Sequence, residues 1–188
     1  MMPRSRQLSA LLVVLGLALA ACGGDDDKDA DPQPTTTSPS TEATTTTESP
    51  EAADEQALRH LAEDWYEASD AIYQGEAEPE SAADYLIDPY LAAFVARARD
   101  VLAAGQISEP NEESRLEVKA IEIEGNDARV VECVIDADVL SGPDGAVVND
   151  DLVASLFETE AVREAGGWKF ADRRTLAEVP GSTECPTA

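Results

Sequence analysis

The stretch LEVKAIEIEGNDARVVECVIDADVL, Leu116 to Leu140, decides the fold. Its apolar residues alternate with charged ones: Val118, Ile121 and Ile123 in the first half, then Val131, Cys133, Ile135, Ala137 and Val139 on one face of the second. A period of two belongs to strands. Gly125-Asn126-Asp127 supplies the turn between them. The adjacent pair Ala120-Ile121 breaks the alternation and marks a bulge. Two antiparallel strands follow, Leu116–Glu124 and Ala128–Leu140.

The same pattern continues toward the C-terminus. Ser141-Gly142-Pro143-Asp144-Gly145 turns, 152–164 is a third strand, Ala165-Gly166-Gly167 turns again, and Trp168–Leu176 is a fourth. Pro180-Gly181 then opens a tail reaching Cys185. Upstream the period changes to that of a helix. Ser49-Pro50-Glu51 combines a capping hydroxyl, a proline at the first helical position and an acid at the positive end. Leu58, Leu61, Trp65, Ala68 and Ile72 then form one helical stripe, stopped at Gln74-Gly75. Glu78-Pro79-Glu80-Ser81 starts a shorter helix to about Ile87. Asp88-Pro89 starts another, with Leu91, Phe94, Val95, Ala98, Val101 and Leu102 inward and Gly105 as its stop. Helices first and a four-stranded antiparallel meander afterwards make the class α+β.

The N-terminus reads as an export signal: Arg4 and Arg6, the apolar run Leu11–Ala20, then small residues and Cys22. The apolar segment is too short to span a bilayer, which takes about 20 residues. Leu19-Ala20-Ala21-Cys22 resembles the lipobox of bacterial lipoproteins. The resemblance implies removal of residues 1–21, diacylglycerol on the Cys22 sulfur and an acyl chain on the new amino terminus. Two or more chains give stable membrane attachment where one does not, so the expected address is the extracytoplasmic face of the cell membrane. Residues 22–50 are rich in Thr, Pro and Asp and nearly free of apolar side chains. They read as a disordered tether with a reach of about 30 Å, and their Thr/Pro tracts are candidate sugar acceptors. One domain, 51–188, remains.

The net charge is −26 over 188 residues, with 39 acids against 13 Lys and Arg. Such a chain repels phosphate backbones, so nucleic acid is excluded as a partner; it also repels anionic headgroups, which holds the domain off its own membrane. Cys133 and Cys185 remain after lipidation of Cys22, and an exported compartment permits a disulfide between them. Closing about 52 residues contributes roughly 4 kcal/mol on the chain-entropy model. Two buried free thiols are the alternative.

Helices followed by a long curved meander resemble the cone-shaped nuclear transport factor 2-like superfamily, which includes ketosteroid isomerase and the SnoaL-like polyketide cyclases. The segments that carry the resemblance are Ile123-Glu124-Gly125-Asn126-Asp127-Ala128, Cys133, Gly166-Gly167-Trp168-Lys169-Phe170 and Cys185. More narrowly, the chain is similar to exported lipoproteins of high-GC Gram-positive bacteria, the actinobacterial type, with this domain behind a threonine-rich tether. The resemblance implies a pocket between the helices and the concave face of the sheet.

Within such a pocket Tyr66, Asp70 and Tyr73 fall at i, i+4 and i+7, a half-polar stripe beside the apolar one. In the isomerase relatives a tyrosine donates to a developing oxyanion while a desolvated carboxylate moves protons; Tyr66 with Asp70, Asp136 or Asp138 can imitate that. If Cys133 and Ile135 face the core, Glu132, Asp136 and Asp138 point the other way and are expected in solvent. His60, the only histidine, sits off the apolar stripe and reads as a surface residue. Asp136, Asp138, Asp144 and Asn149-Asp150-Asp151 form an acidic hairpin rim that lacks a calcium-loop spacing. Trp65, Phe94, Trp168 and Phe170 form an aromatic core, or, with Tyr66 and Tyr73, line a pocket for a small apolar ligand. No serine elbow, phosphate-cradling glycine loop or zinc spacing is present in the sequence, and no cofactor or metal is expected. The leading expectation is a lipid-anchored, non-catalytic binding module for a partner or small apolar ligand. The alternatives are an isomerase- or dehydratase-like enzyme and a structural envelope protein that dimerises.

Overall fold

The computed structural model describes residues 49–187. The expected signal peptide, Cys22 and nearly all of the tether lie outside the described residues. Helix α1 (Pro50–Tyr73) begins where its cap signals place it: Ser49 accepts a hydrogen bond from the Ala52 amide at 3.2 Å and proline occupies the first turn. Its buried stripe is Leu58, Ala62, Trp65 and Ile72. Gly75 takes a left-handed φ of 75° just beyond the helix, a conformation a side chain resists. The expected second helix is only a 3-10 segment, Pro79–Asp84. It is short because its chain turns into an extended link: Phe170 exchanges backbone hydrogen bonds with Tyr85 and Ile87, each at 2.9 Å. Helix α2 (Tyr90–Ala103) follows, with the Asp88 carboxylate accepting from the Ala92 amide at 3.2 Å.

Among the described residues seven strands form two sheets. Strands β2 (Arg115–Glu124), β3 (Asp127–Asp136), β6 (Val153–Glu164) and β7 (Gly167–Pro180) make the expected antiparallel meander in the order β2-β3-β6-β7. The second sheet is a correction. Strands β1 (Ile107–Glu109), β4 (Val139–Ser141) and β5 (Val147–Asn149) pair in the order β1-β4-β5. The strand expected to run from 128 to 140 therefore breaks after Asp136. Asp138 causes the break: its carboxylate accepts from the Asn111 amide at 3.0 Å and from the hydroxyls of Ser114 (2.5 Å) and Ser108 (3.3 Å). Ser114 in turn accepts from the Ala137 amide at 3.0 Å. Four polar contacts thus lift the chain off the main sheet and lead it into the smaller one.

Register shifts interrupt β2 between Val118 and Ala120, and the β6–β7 pair at two places. Such bulges bend and twist a sheet, and here both faces are covered. The concave face carries Ala128, Val130, Ala161, Trp168 and Phe170 against the helices. The convex face carries Cys133, Ile135, Ala154 and Leu156, roofed by Leu152, Ala177 and Cys185. Cys133 and Cys185 form a disulfide with Cα atoms 5.8 Å apart, which ties the tail across that face. Arg115 adds a hydrogen bond to the Thr183 carbonyl at 2.6 Å. No helix among the described residues is long and apolar enough to cross a membrane.

Candidate functional site

Because the disulfide tail packs one face and the helices pack the other, the face of β3 opposite Cys133 is not solvent. Glu132 is 2% exposed. The expectation of solvated acids fails at Glu132 for a physical reason: a strand has a bare face only where the sheet has one layer on it, and there this sheet has two; Asp138 is half-buried, and Asp136, at the end of the strand, is exposed.

The concave face is apolar at one end. Trp65 packs edge-to-face on Phe94 with ring centroids 4.7 Å apart, Tyr73 on Phe94 at 5.7 Å, and Tyr85 lies 5.9 Å from Trp65. Trp65, Phe94, Trp168 and Phe170 are all core. They close this end and leave no room for a ligand. The start of α1 is pinned over it by the Asp54–Arg163 ion pair, and the Arg163 guanidinium sits 4.4 Å from the centre of the Trp168 ring.

At the other end the same face opens into a cavity of about 250 Å³ lined by Tyr66, Asp70, Tyr73, Val134, Asp136 and Arg173, with Asp138, Asn149 and the exposed Arg97 at its edges. Of the expected pocket residues, Tyr66 and Tyr73 reach it, while Trp65, Phe94 and Trp168 do not. The lining is mixed, with Val101, Val134 and Leu140 standing among the polar groups. Another hollow, about 220 Å³, lies among Glu122, Glu124, Arg129 and Glu160. No buried polar side chain lines it, and Arg129 already pairs with Glu122 at 2.9 Å, so the chemistry points to the first cavity.

Burial pushes the Asp70 carboxyl up to about 7, with the charges of Asp138, Asp136 and Glu67 adding to the shift and no hydrogen bond opposing it. Asp136, an exposed residue, moves in the same direction, chiefly by desolvation. The nearby Arg97 and the Asp138 amide hold that shift back. Tyr66 is raised by burial first and then by the same three aspartates, so it is a neutral hydrogen-bond donor at any physiological pH. Asp138 is different. Its oxygens already accept three donors, so it acts as a structural anchor rather than a free acid.

The polar wall of the cavity rests on a buried cluster the sequence reading did not pick out. Glu132 accepts a hydrogen bond from the Thr159 hydroxyl at 2.7 Å. The Arg173 Nε lies 3.1 Å from the same Glu132 oxygen, an ion pair too bent to be an aligned hydrogen bond. The Arg173 guanidinium stacks 3.7 Å from the Phe157 ring centre. Arg173 reaches this face through a bulge: Phe170 pairs with Ala161 and Asp172 with Glu160, leaving Ala171 extra, so positions 170 and 173 point the same way. An odd offset would otherwise send Arg173 outward. The one signal in the sequence is Glu132 itself, a charge set inside the apolar run Val130-Val131-Glu132-Cys133-Val134.

His60 is exposed, as expected of an off-stripe position. The rim acids do not assemble into a cation site among the described residues: Asp144 caps the Ala146 amide and Asn149 the Asp151 amide.

No family model matches this chain. No curated protein matches it significantly in sequence. Among solved structures it is similar to the intermembrane space region of the chloroplast protein ARC6, with a TM-score of 0.57 and 18% identity over 66% of this chain and 97% of that one. It is also similar to the Kfla4162 protein of Kribbella flavida, with a TM-score of 0.50 and 16% identity over 69% and 95%. A type 2 hexachlorocyclohexane dehydrochlorinase aligns at a TM-score of 0.41 and 17% identity over 72% and 97%, a likeness that carries no weight for chemistry. At these identities the shared property is the α+β fold.

Proposed function

We propose that this chain is a lipid-anchored extracytoplasmic binding protein of the nuclear transport factor 2-like, SnoaL-like type, whose domain holds a small polar molecule in the open end of its cone. The observation that carries the reading is the half-enclosed cavity of about 250 Å³ between α1 and the concave sheet, walled by Tyr66, Asp70, Asp136 and Arg173. Polar side chains half out of water cost stability, and ligand sites combine a concave shape with a few such groups. A lining of mixed polarity supports a small polar molecule, while Trp65, Phe94 and Trp168, from which an apolar ligand was expected, lie in the core. The lipobox-like Leu19–Cys22 and the Thr/Pro-rich tether support the address.

The test is native mass spectrometry of the chain purified from its own membranes. A bound small molecule is expected, and it is expected to vanish in Val134→Trp, which fills the cavity from its wall. Wild-type protein carrying nothing overturns the ligand reading. Cys22→Ser is expected to release the chain from the membrane fraction, and full retention overturns the anchor.

Asp70 favours a second reading. A carboxyl titrating at about 7 beside a neutral tyrosine is poised for proton transfer, as in an isomerase- or dehydratase-like enzyme. Carbon-13 NMR of the Asp70 carboxyl is expected to show a midpoint near neutrality, and an ordinary aspartate midpoint removes the enzyme reading.

A further inference from the structure

We infer that the cavity takes a small zwitterion, a molecule bearing a carboxylate and an ammonium group, with its carboxylate on Arg173 and its ammonium between Asp70, Asp136 and the Tyr66 ring. The inference rests on the proposed binding role of the cavity and names its ligand class.

The cavity has two electrically distinct ends. Asp136 stands opposite Val153 of β6, whereas Arg173 stands opposite Thr159, six residues further along that strand. The two groups are therefore set apart along the wall. At the cationic end, Arg173 is held on two sides. Glu132, itself 2% exposed and fixed by the Thr159 hydroxyl, lies against its Nε, and Phe157 packs on its guanidinium. Nε is buried without an aligned hydrogen bond, and the residue lines the cavity. The guanidinium fork is the part of arginine that matches a planar carboxylate with two parallel bonds. A buried ion pair is poor evidence for stabilisation, because desolvation consumes most of the attraction. A pair that instead fixes an arginine in the wall of a cavity has a binding rationale.

The anionic end selects the opposite charge. Among the described residues Asp70 has no hydrogen-bond donor and Asp136 has one backbone donor, and Tyr66 and Tyr73 line the same space. An ammonium group meets carboxylates and aromatic faces favourably. A simple anion gains Arg173 but meets Asp136; a simple cation gains the aspartates but leaves the arginine fork unpaired. A molecule carrying both charges satisfies both ends.

The experiment is titration calorimetry of the mature full-length chain in detergent with β-alanine, γ-aminobutyrate and ε-aminocaproate, against butyrate and butylamine. At least one zwitterion is expected to bind tenfold or more tightly than either singly charged probe. The double variant Glu132→Gln/Arg173→Gln, which leaves no buried charge unpaired, is expected to reduce that zwitterion to the level of butylamine. Asp136→Asn is expected to reduce it toward butyrate. Butyrate or butylamine binding as tightly as every zwitterion overturns the charge assignment. If no probe binds while native mass spectrometry still finds a ligand that Val134→Trp removes, the assignment fails and the binding role stands. If neither is seen, both fail.

Discussion

The two ends of one concave sheet face follow opposite rules. Around Trp65, Phe94 and Phe170 the packing is aromatic and aliphatic. Two to six residues further along the same strands stand Glu132, Arg173 and Asp136, and the space is open. Apolar burial drives folding roughly in proportion to the area removed from water, so the closed end holds the domain together. Half-burying carboxyl and guanidinium groups works against stability, so the open end persists only because the closed end and the disulfide-bound tail hold its walls in place. Stability and binding are divided between two halves of one surface.

Three substitutions break or sharpen that contrast. The largest effect belongs to the closed end: Phe170→Ala removes a fully buried ring and is expected to cost about 3–5 kcal/mol in denaturant unfolding. A loss below about 1 kcal/mol, the size of an ordinary substitution, means the core is not centred there.

Next is Arg173→Met, which strands Glu132 in the interior and is expected to cost about 3 kcal/mol. Adding Glu132→Gln removes the orphaned charge while keeping an acceptor for Thr159, and most of the loss is expected to return. A double variant no better than the single one makes the pair a structural element of the closed-end kind.

The smallest effect is at Asp70. Its folded-state pKa of about 7 lies above the ordinary 3.8, so the folded chain holds a proton that the unfolded chain releases. Its contribution is therefore fully present below 3.8 and is lost as pH rises through about 7. Asp70→Asn is expected to lack this loss and to be more stable than wild type by about 1 kcal/mol above neutrality, a figure reduced for the group's partial exposure. The difference between the two unfolding curves against pH measures it. A flat difference places Asp70 in solvent.

Much of the architecture was legible because it is written locally. The Ser49-Pro50 cap, the stripe from Leu58 to Ile72, the Gly125-Asn126 turn and the alternation on both sides of it each depend on neighbours a few residues away. The pairing of Cys133 with Cys185 spans 52 residues, yet it too was legible because only two cysteines remain in the domain. Tyr66, Asp70 and Tyr73 were legible as a stripe because their spacing is local.

The partners of that stripe were not. Asp138 looked like a member of the acidic rim, and only its contacts with Asn111, Ser108 and Ser114 show it ending β3 and starting a second sheet. Arg173 was hidden by a single extra residue at Ala171, which changes the face of everything after it.

By itself the sequence determined the two long helices, the four-stranded meander after them, the apolar stripe and the likeness to an exported lipoprotein, since periodicity, caps and turns are properties of short segments. Which face of β3 met the helices, where the cone was left open, and that Glu132 and Arg173 stand together in it were decided only by tertiary structure. Those depend on bulges and on two layers competing for one sheet, and the free energy of that competition is summed over residues far apart in the chain.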